Sequence, residues 1–241
     1  MSGEPFRRVS DGERAAAAGE PLYLESGYRS TVLRAPLRPL ILLPERLAER
    51  GGPVYGHGPV EAVDSDLTRQ HPGGEPLGER IVVGGRVTDR DGRPLRDTLI
   101  EVWQANAAGR YLHHNDNHPA PLDPNFTGAG RCLTDGDGRY RFVTVRPGAY
   151  PWRNHPNAWR PAHIHFSLLG RELSTRLVTQ MYFPGDPLHD ADPIMQAVRD
   201  PRARASMISS FDWEATMPEW ALGFRFDIVL GGARATPTED E

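Results

Sequence analysis

Apolar and polar residues alternate most cleanly at 224–230, FRFDIVL. Phe224, Phe226, Ile228 and Leu230 fall on one side and Arg225, Asp227 and Val229 on the other, the period of two that a half-buried strand requires. Further strands are expected at 80–89 (RIVVGGRVTD), 98–105 (TLIEVWQA), 163–169 (HIHFSLL) and 177–183 (LVTQMYF). RCLTD, GDG and RYRFVTV read as a hairpin, with Asp137–Gly138 at the turn and Tyr140, Phe142 and Thr144 on one face. The best helical stretch is 192–209, DPIMQAVRDPRARASMIS, and Pro201 interrupts it. Strands recur with glycine turns between them, and helices do not alternate with them. The expected fold class is therefore all-β, an antiparallel β-sandwich with a short helix late in the chain.

The first third lacks that texture. Residues 21–77 carry turn signals every few positions (APLRP, LLPE, GGP, GHGP, HPGGEP), and the apolar run PLILL at 39–43 has prolines on both sides. This stretch reads as an extended, mostly irregular arm with at most a short helix near Pro44–Arg50. Residues 1–20 are polar and Ala/Gly-rich, a loose tail or an arm on a partner. The expected organisation is an arm over 1–77, a sandwich carrying the chemistry over 78–235, and a polar tail over 236–241.

Composition narrows the function classes. The length, 241 residues, suits one large β domain with an arm. The net charge of -4, with arginines interleaved among acids, points to no nucleic acid and no anionic membrane as partner. A single cysteine, Cys132, rules out an internal disulfide and a thiolate metal cluster. The N-terminus has no apolar core for a signal peptide, and no apolar run approaches the roughly 20 residues of a membrane span. A cytoplasmic location is expected.

Candidate chemistry centres on RPAHIHF at 160–166. Residues i and i+2 of a strand share a face, so His163 and His165 would present two imidazoles to one ion. Zinc, copper, iron and nickel all suit imidazole, and a surface pair on an edge strand fits the pattern equally well. The first downstream carboxylate is Glu172, beyond Gly170, which gives a two-histidine, one-carboxylate site little support. The other histidines sit mostly in loops, and spacing selects none of them. Tyr111 and Tyr150 each follow a glycine in a loop, where function concentrates. A phenol titrates near about 10, so only a strongly charged, oxidised metal would hold it ionised at neutral pH. Two phenolates with two imidazoles would favour Fe(III). Trp152, Arg153, Asn154, Asn157, Trp159 and Arg160 crowd the approach to the histidines, as the walls and polar groups of a small-ligand pocket would. Arg160 would supply a fixed positive charge for an anionic substrate.

VWQANAAGRY, APLDPNFTGAGRCLTDGDG, PGAYPWRNHPNAWRPAHIHF and TQMYFPGDP closely resemble the intradiol ring-cleaving dioxygenases, and YRSTVLRAP (28–36) and GERIVVGGRVTDRDGRP (78–94) fit the same family. The likeness covers roughly residues 21–233. It implies one non-haem Fe(III) per chain, held by Tyr111 as equatorial and Tyr150 as axial tyrosinate together with His163 and His165. It implies that Arg160 and Gln180 stand beside the bound diol. Trp152, Tyr182, Ile194 and Trp103 would line the pocket, and Tyr28 would meet a substrate carboxylate. Tyr150 and Arg160 are the residues expected to act on the substrate. Because all four ligands are present, the chain resembles the iron-bearing β chain of members built from α and β chains, so an α partner is expected to complete the pocket. The activity implied is cleavage of protocatechuate (3,4-dihydroxybenzoate) by O2 to 3-carboxy-cis,cis-muconate, in aromatic catabolism by the β-ketoadipate pathway.

Catechol and hydroxyquinol are the alternative diols. Enzymes for those carry a helical N-terminal dimerisation domain, for which residues 1–77 are too rich in proline and glycine. From other classes, a non-enzymatic β-sandwich binding module and a cupin-like Fe(II) or zinc enzyme stay open. The loop HHNDNHPAPL (113–122) departs from the family pattern in its histidines and in Pro119, which leaves room for a rival histidine ligand near Tyr111.

Overall fold

The computed structural model describes residues 7–9, 27, 35, 40–42, 59–152, 159–169 and 176–238. Strands β1 (Arg7–Val9) and β2 (Leu40–Leu42) pair antiparallel. This ribbon lies in the segment expected to be extended and mostly irregular; within the apolar run between prolines, Leu40–Leu42 is a strand. The suggested helix at Pro44–Arg50 lies outside the described residues.

The remaining strands are β3 (Arg80–Asp89), β4 (Leu99–Trp103), β5 (Ala129–Leu133), β6 (Arg139–Val145), β7 (Tyr150–Pro151), β8 (Trp159–Arg160), β9 (His163–Leu169), β10 (Leu177–Tyr182), β11 (Ser210–Phe211), β12 (Leu222–Arg225) and β13 (Ile228–Leu230). One sheet has four antiparallel strands in the order β10-β9-β4-β5. The other has the order β11-β12-β3-β13, with β6 also on β3. Ile81, Val83 and Val87 of β3, Phe142 of β6 and Phe224, Phe226 and Ile228 face Ile100 and Val102 of β4 and Ile164, Phe166 and Leu168 of β9 in one core. That is the expected sandwich, each strand giving its alternate residues to the space between sheets.

Two local expectations are corrected. β5 and β6 do not form a hairpin: β5 pairs with β4 and β6 with β3, in opposite sheets. The turn between them is tight, with Asp135 Oδ1 accepting from the backbone N–H groups of Asp137 (2.9 Å) and Arg139 (2.8 Å). The chain there crosses from one sheet to the other, so a good turn motif does not imply pairing of its flanks. The run 224–230 is also not one strand, and although Phe224 and Arg225 pair antiparallel with β11, its pairing with β3 is parallel. β12 and β13 both run parallel to β3, with a step between them. At the step, Phe226 N donates to Gly84 O (2.8 Å), Arg86 N donates to Asp227 Oδ1 (2.9 Å) and Tyr140 Oη donates to Phe226 O (2.6 Å). A Cβ at Gly85 would stand 1.8 Å from Phe226 O, so only glycine admits the crossing. Alternation survives the break: Phe224, Phe226 and Ile228 are buried, while Arg225 and Asp227 are exposed.

The helical stretch divides at Pro201 as expected, into α1 (Pro193–Ala197) and α2 (Pro201–Ser206). Each starts with the same device. Asp192 and Asp200 are N-caps that accept from Ile194 N and Arg202 N, and proline follows at the first helical position. Met195, Val198, Ala203 and Met207 pack with Tyr182 of β10, on the face of the four-stranded sheet away from the main core. Leu67, in the segment read as arm, is fully buried in that main core. Thr236, in the segment read as polar tail, is buried, its backbone N–H bonded to Val229 O. No helix among the described residues is long and apolar enough to cross a membrane.

Candidate metal centre

Alternation along β9 decides where the site lies. Ile164, Phe166 and Leu168 enter the core, so His163 and His165 project from the opposite face of the sheet. The register then sets their neighbours. Tyr182 and Gln180 of β10 stand opposite His163 and His165, and Trp103 of β4 stands opposite His165. Directly opposed residues share a face. The Trp103 ring lies flat on His165, centroids 4.8 Å apart at 6°.

Two loops bring the tyrosines over that face, and Asn106 knots them together. Its Oδ1 accepts from the N–H groups of Ala108 and Arg110 (both 2.9 Å). Its backbone carbonyl accepts from Gly109 N and Gly148 N (both 3.0 Å), and its Nδ2 donates to Pro121 O (3.0 Å). The loops meet backbone to backbone. A Cβ at Gly109, where φ is 76°, would come within 2.2 Å of Ala149 O. One at Gly148 would come within 2.5 Å of Ala107 O. The glycines that precede both tyrosines in sequence are therefore what lets their loops touch. Tyr111 N donates to Asp116 Oδ2 (2.7 Å).

Four rings converge as a result. Tyr111 and Tyr150 meet edge to face at 5.2 Å, Tyr150 and His163 lie 5.5 Å apart, Tyr111 and His165 6.4 Å, and His163 and His165 4.8 Å. The β7–β8 ribbon sets Tyr150 directly opposite Arg160. Arg160 is 1% exposed. Its Nη1 reaches His163 Nε2 at 3.1 Å and donates to the Tyr150 hydroxyl at 3.4 Å. Its Nη2 donates to Gln180 Oε1 (2.6 Å), the Tyr182 hydroxyl (3.0 Å) and Asp192 Oδ2 (2.8 Å), and its Nε to Asp192 Oδ1 (3.1 Å). Burial opposes the charge of Arg160, but the Asp192 carboxylate and the Tyr182 and Tyr150 oxygens together outweigh it and hold the guanidinium well above its ordinary pKa.

The donor set suits a metal. His163 Nδ1 lies 2.7 Å from Pro161 O, a carbonyl that can only accept, so Nδ1 carries the proton and Nε2 the lone pair. Burial above all, then the Arg160 cation and His165, hold the His163 pKa well below its usual value, which keeps the ring neutral as a ligand must be. Gln180 Nε2 is a buried donor with no acceptor among the described residues. Among the described residues no group of three or more His, Cys, Asp and Glu side chains could hold a metal. A cupin-like set would need a carboxylate from elsewhere, and Glu172 lies outside the described residues. His113 and His114 are exposed, their rings 4.3 Å apart and tilted by 33°, and His118 meets Trp159 edge to face (6.3 Å).

The sequence-predicted residues Tyr111, Tyr150, Arg160, His163, His165 and Gln180 thus come together. Trp152 joins them with its ring 5.4 Å from the Arg160 guanidinium carbon. Tyr182, expected to line the pocket, is fully buried, its hydroxyl 2.7 Å from Gln180 Oε1 and 2.9 Å from Asp192 Oδ2. Ile194 is buried at the start of α1. Tyr28, Arg153, Asn154 and Asn157 lie outside the described residues. Sequence reasoning missed Asn106 and Asp192. The first stands inside the motif VWQANAAGRY as an ordinary loop asparagine, and the second is simply the first residue of the stretch read as helical.

Comparison with known proteins gives the family. The family model described as Dioxygenase matches residues 50–232, and that for the Protocatechuate 3,4-dioxygenase beta subunit N terminal matches residues 14–46. The chain is 60% identical to the protocatechuate 3,4-dioxygenase beta chain of Burkholderia cepacia, over 91% of this chain and 93% of that one. It is 29% identical to the alpha chain from Pseudomonas putida, over 82% and 97%. Among solved structures, 3-chlorocatechol 1,2-dioxygenase from Rhodococcus opacus 1CP is similar at a TM-score of 0.54 and 25% identity, over 76% of this chain and 71% of that one. A match spanning most of the chain, and carrying with it both tyrosines and both histidines gathered on one sheet face, makes this protein a member of the intradiol ring-cleaving dioxygenase family.

Proposed function

We propose that this chain is the metal-holding β chain of an α/β protocatechuate 3,4-dioxygenase. It opens 3,4-dihydroxybenzoate between its two hydroxylated carbons, taking up O2 to give 3-carboxy-cis,cis-muconate in aromatic catabolism. The observation that carries this reading is the convergence of the Tyr111, Tyr150, His163 and His165 rings beside the buried Arg160 cation. The identity to a named beta chain and the separate match at 14–46 support the β assignment over that of a catechol or hydroxyquinol enzyme.

Tyr111, Tyr150, His163 and His165 would hold a non-haem ferric ion, whose Lewis acidity favours the ionised diol and makes its ring reactive toward O2. The Tyr150 oxygen, beside Arg160 Nη1, is placed to accept one of the two protons the diol must lose. Arg160 lowers the cost of negative charge on the ring in a site where water screens little. Gln180, its Oε1 occupied by Arg160 and Tyr182, has its Nε2 donor to offer a substrate oxygen. Trp103 and Trp152 are flat apolar surfaces against which an aromatic ring can lie. Tyr28 and an α partner are assigned to the substrate carboxylate.

Co-expression with an α partner tests the reading. The purified protein should be coloured by tyrosinate-to-iron charge transfer and should consume one O2 per protocatechuate. Tyr150→Phe should keep iron and bind substrate more slowly. A colourless protein with full iron would sink the two-phenolate site, and oxygen uptake on catechol but not protocatechuate would sink the substrate.

A further inference from the structure

Asp192 is fully buried, and both of its carboxylate oxygens are in use. Oδ1 accepts from Arg160 Nε (3.1 Å) and from Ile194 N (3.3 Å), and Oδ2 accepts from Arg160 Nη2 (2.8 Å) and the Tyr182 hydroxyl (2.9 Å). The two contacts to Arg160 take the Nε–Nη2 edge of the guanidinium, which fixes the plane as well as the position of the group. Nη1 alone is left toward the ring cluster, where it meets Tyr150 and His163.

Capping does not account for this. Asp200 caps α2 with the same Asp-Pro pair and the same bond to the second N–H beyond it, here Arg202 N at 2.8 Å, yet it is exposed, and its carboxylate holds no other group among the described residues. The two caps differ in what else the carboxylate holds. We propose that Asp192 is a positioning residue for the ring-opening reaction. It clamps the far edge of Arg160 so that Nη1 faces the substrate position, and it supplies the counter-charge that lets this cation persist out of water. Through Ile194 N it also ties the start of α1 to that arrangement. The proposal rests on the reading of Arg160 as a residue that faces the reacting diol.

The test uses the α/β protein with Asp192→Asn, Asp200→Asn, Arg160→Gln and the double variant Asp192→Asn/Arg160→Gln. Asparagine caps helices about as well as aspartate, so Asp192→Asn removes the charge and spares the cap. It should retain iron and the visible charge-transfer band, and lose about 10–100-fold in kcat with protocatechuate, as losses of outer partners typically do. KM should change less. Asp200→Asn should keep kcat within about twofold, as surface changes do. Once Arg160 is glutamine, adding Asp192→Asn should cost nothing more, the non-additivity of groups that act as one. Wild-type kcat in Asp192→Asn, or a loss that adds in full to that of Arg160→Gln, would overturn the proposal. If Asp192→Asn does not accumulate, Asp192→Glu decides. It keeps the charge but displaces the guanidinium, and should show reduced kcat with iron retained; unchanged kcat overturns the proposal. Full activity in Arg160→Gln would instead overturn the role given to Arg160 and the proposal with it.

Discussion

Between the sheets, the Phe166 ring meets Phe142 at 5.9 Å and Phe226 at 5.2 Å. On the outer face of the four-stranded sheet, Arg160, Gln180, Tyr182 and Asp192 meet through hydrogen bonds of 2.6–3.1 Å. Both clusters are buried, and they stay buried for different reasons. The first is held by contact area, which is non-directional and tolerates exchange of one apolar shape for another. The second is held by directed bonds between charged and polar groups, whose burial is costly unless every partner is present. Equal burial therefore predicts opposite responses to substitution: the core should forgive a change of shape, and the polar cluster should not forgive a change of chemistry.

The largest effect should come from His163→Ala. The ring lies on the outer face, so the fold should survive while oxygen uptake falls by more than about a hundredfold, beyond what loss of an outer-shell partner costs. Iron content, circular dichroism and oxygen consumption on one preparation check this. Phe166→Ala should do the reverse. It should lower stability by about 3–5 kcal/mol in denaturant melts, whereas Phe166→Leu should cost under about 1.5 kcal/mol. Gln180→Met carries the contrast into the polar cluster. The volume is nearly conserved, yet Arg160 and Tyr182 lose an acceptor, so stability should fall by about 1–3 kcal/mol and kcat should fall with it. If Gln180→Met proves as benign as Phe166→Leu, the distinction between the two clusters fails.

The smallest effect concerns Cys132, which belongs to the apolar cluster. Burial pushes its thiol up from 9.0 to about 12, against a backbone hydrogen bond from Arg141. The folded chain thus holds a proton that the unfolded chain releases above pH 9, and this group's contribution declines as pH rises from about 9 to 12. Alkylating reagents at pH 8 should leave the native protein unmodified and label it on unfolding. Cys132→Ala should flatten the alkaline fall in melting temperature slightly.

Much of this was legible in the sequence, because period-two alternation is a local property. It located β3, β4, β9 and β10, and it put His163 and His165 on one face. Pairing is not local. The Asp135–Arg139 turn looks the same whether its flanks pair or part, so the hairpin reading failed. The parallel seating of β12 and β13 on β3 depends on Gly85, whose sequence context gives no hint of the crossing. The site divides in the same way. Tyr111 and Tyr150 were flagged by the glycines before them, whereas Asp192 carries the same Asp-Pro signal as Asp200, and only the fold separates a cap from an anchor.

The strict alternation of β9 also bears on how such a chain can change over generations. Its even-numbered residues Ile164, Phe166 and Leu168 keep the sandwich together, and its odd-numbered residues His163 and His165 stand on the other face, opposite Tyr182 and Gln180. One strand therefore holds two interleaved texts that mutation can edit separately. A duplicated copy could lose both imidazoles and still fold, surviving as a scaffold, while a catalytic lineage could retune the odd positions toward new diols without rewriting the even ones.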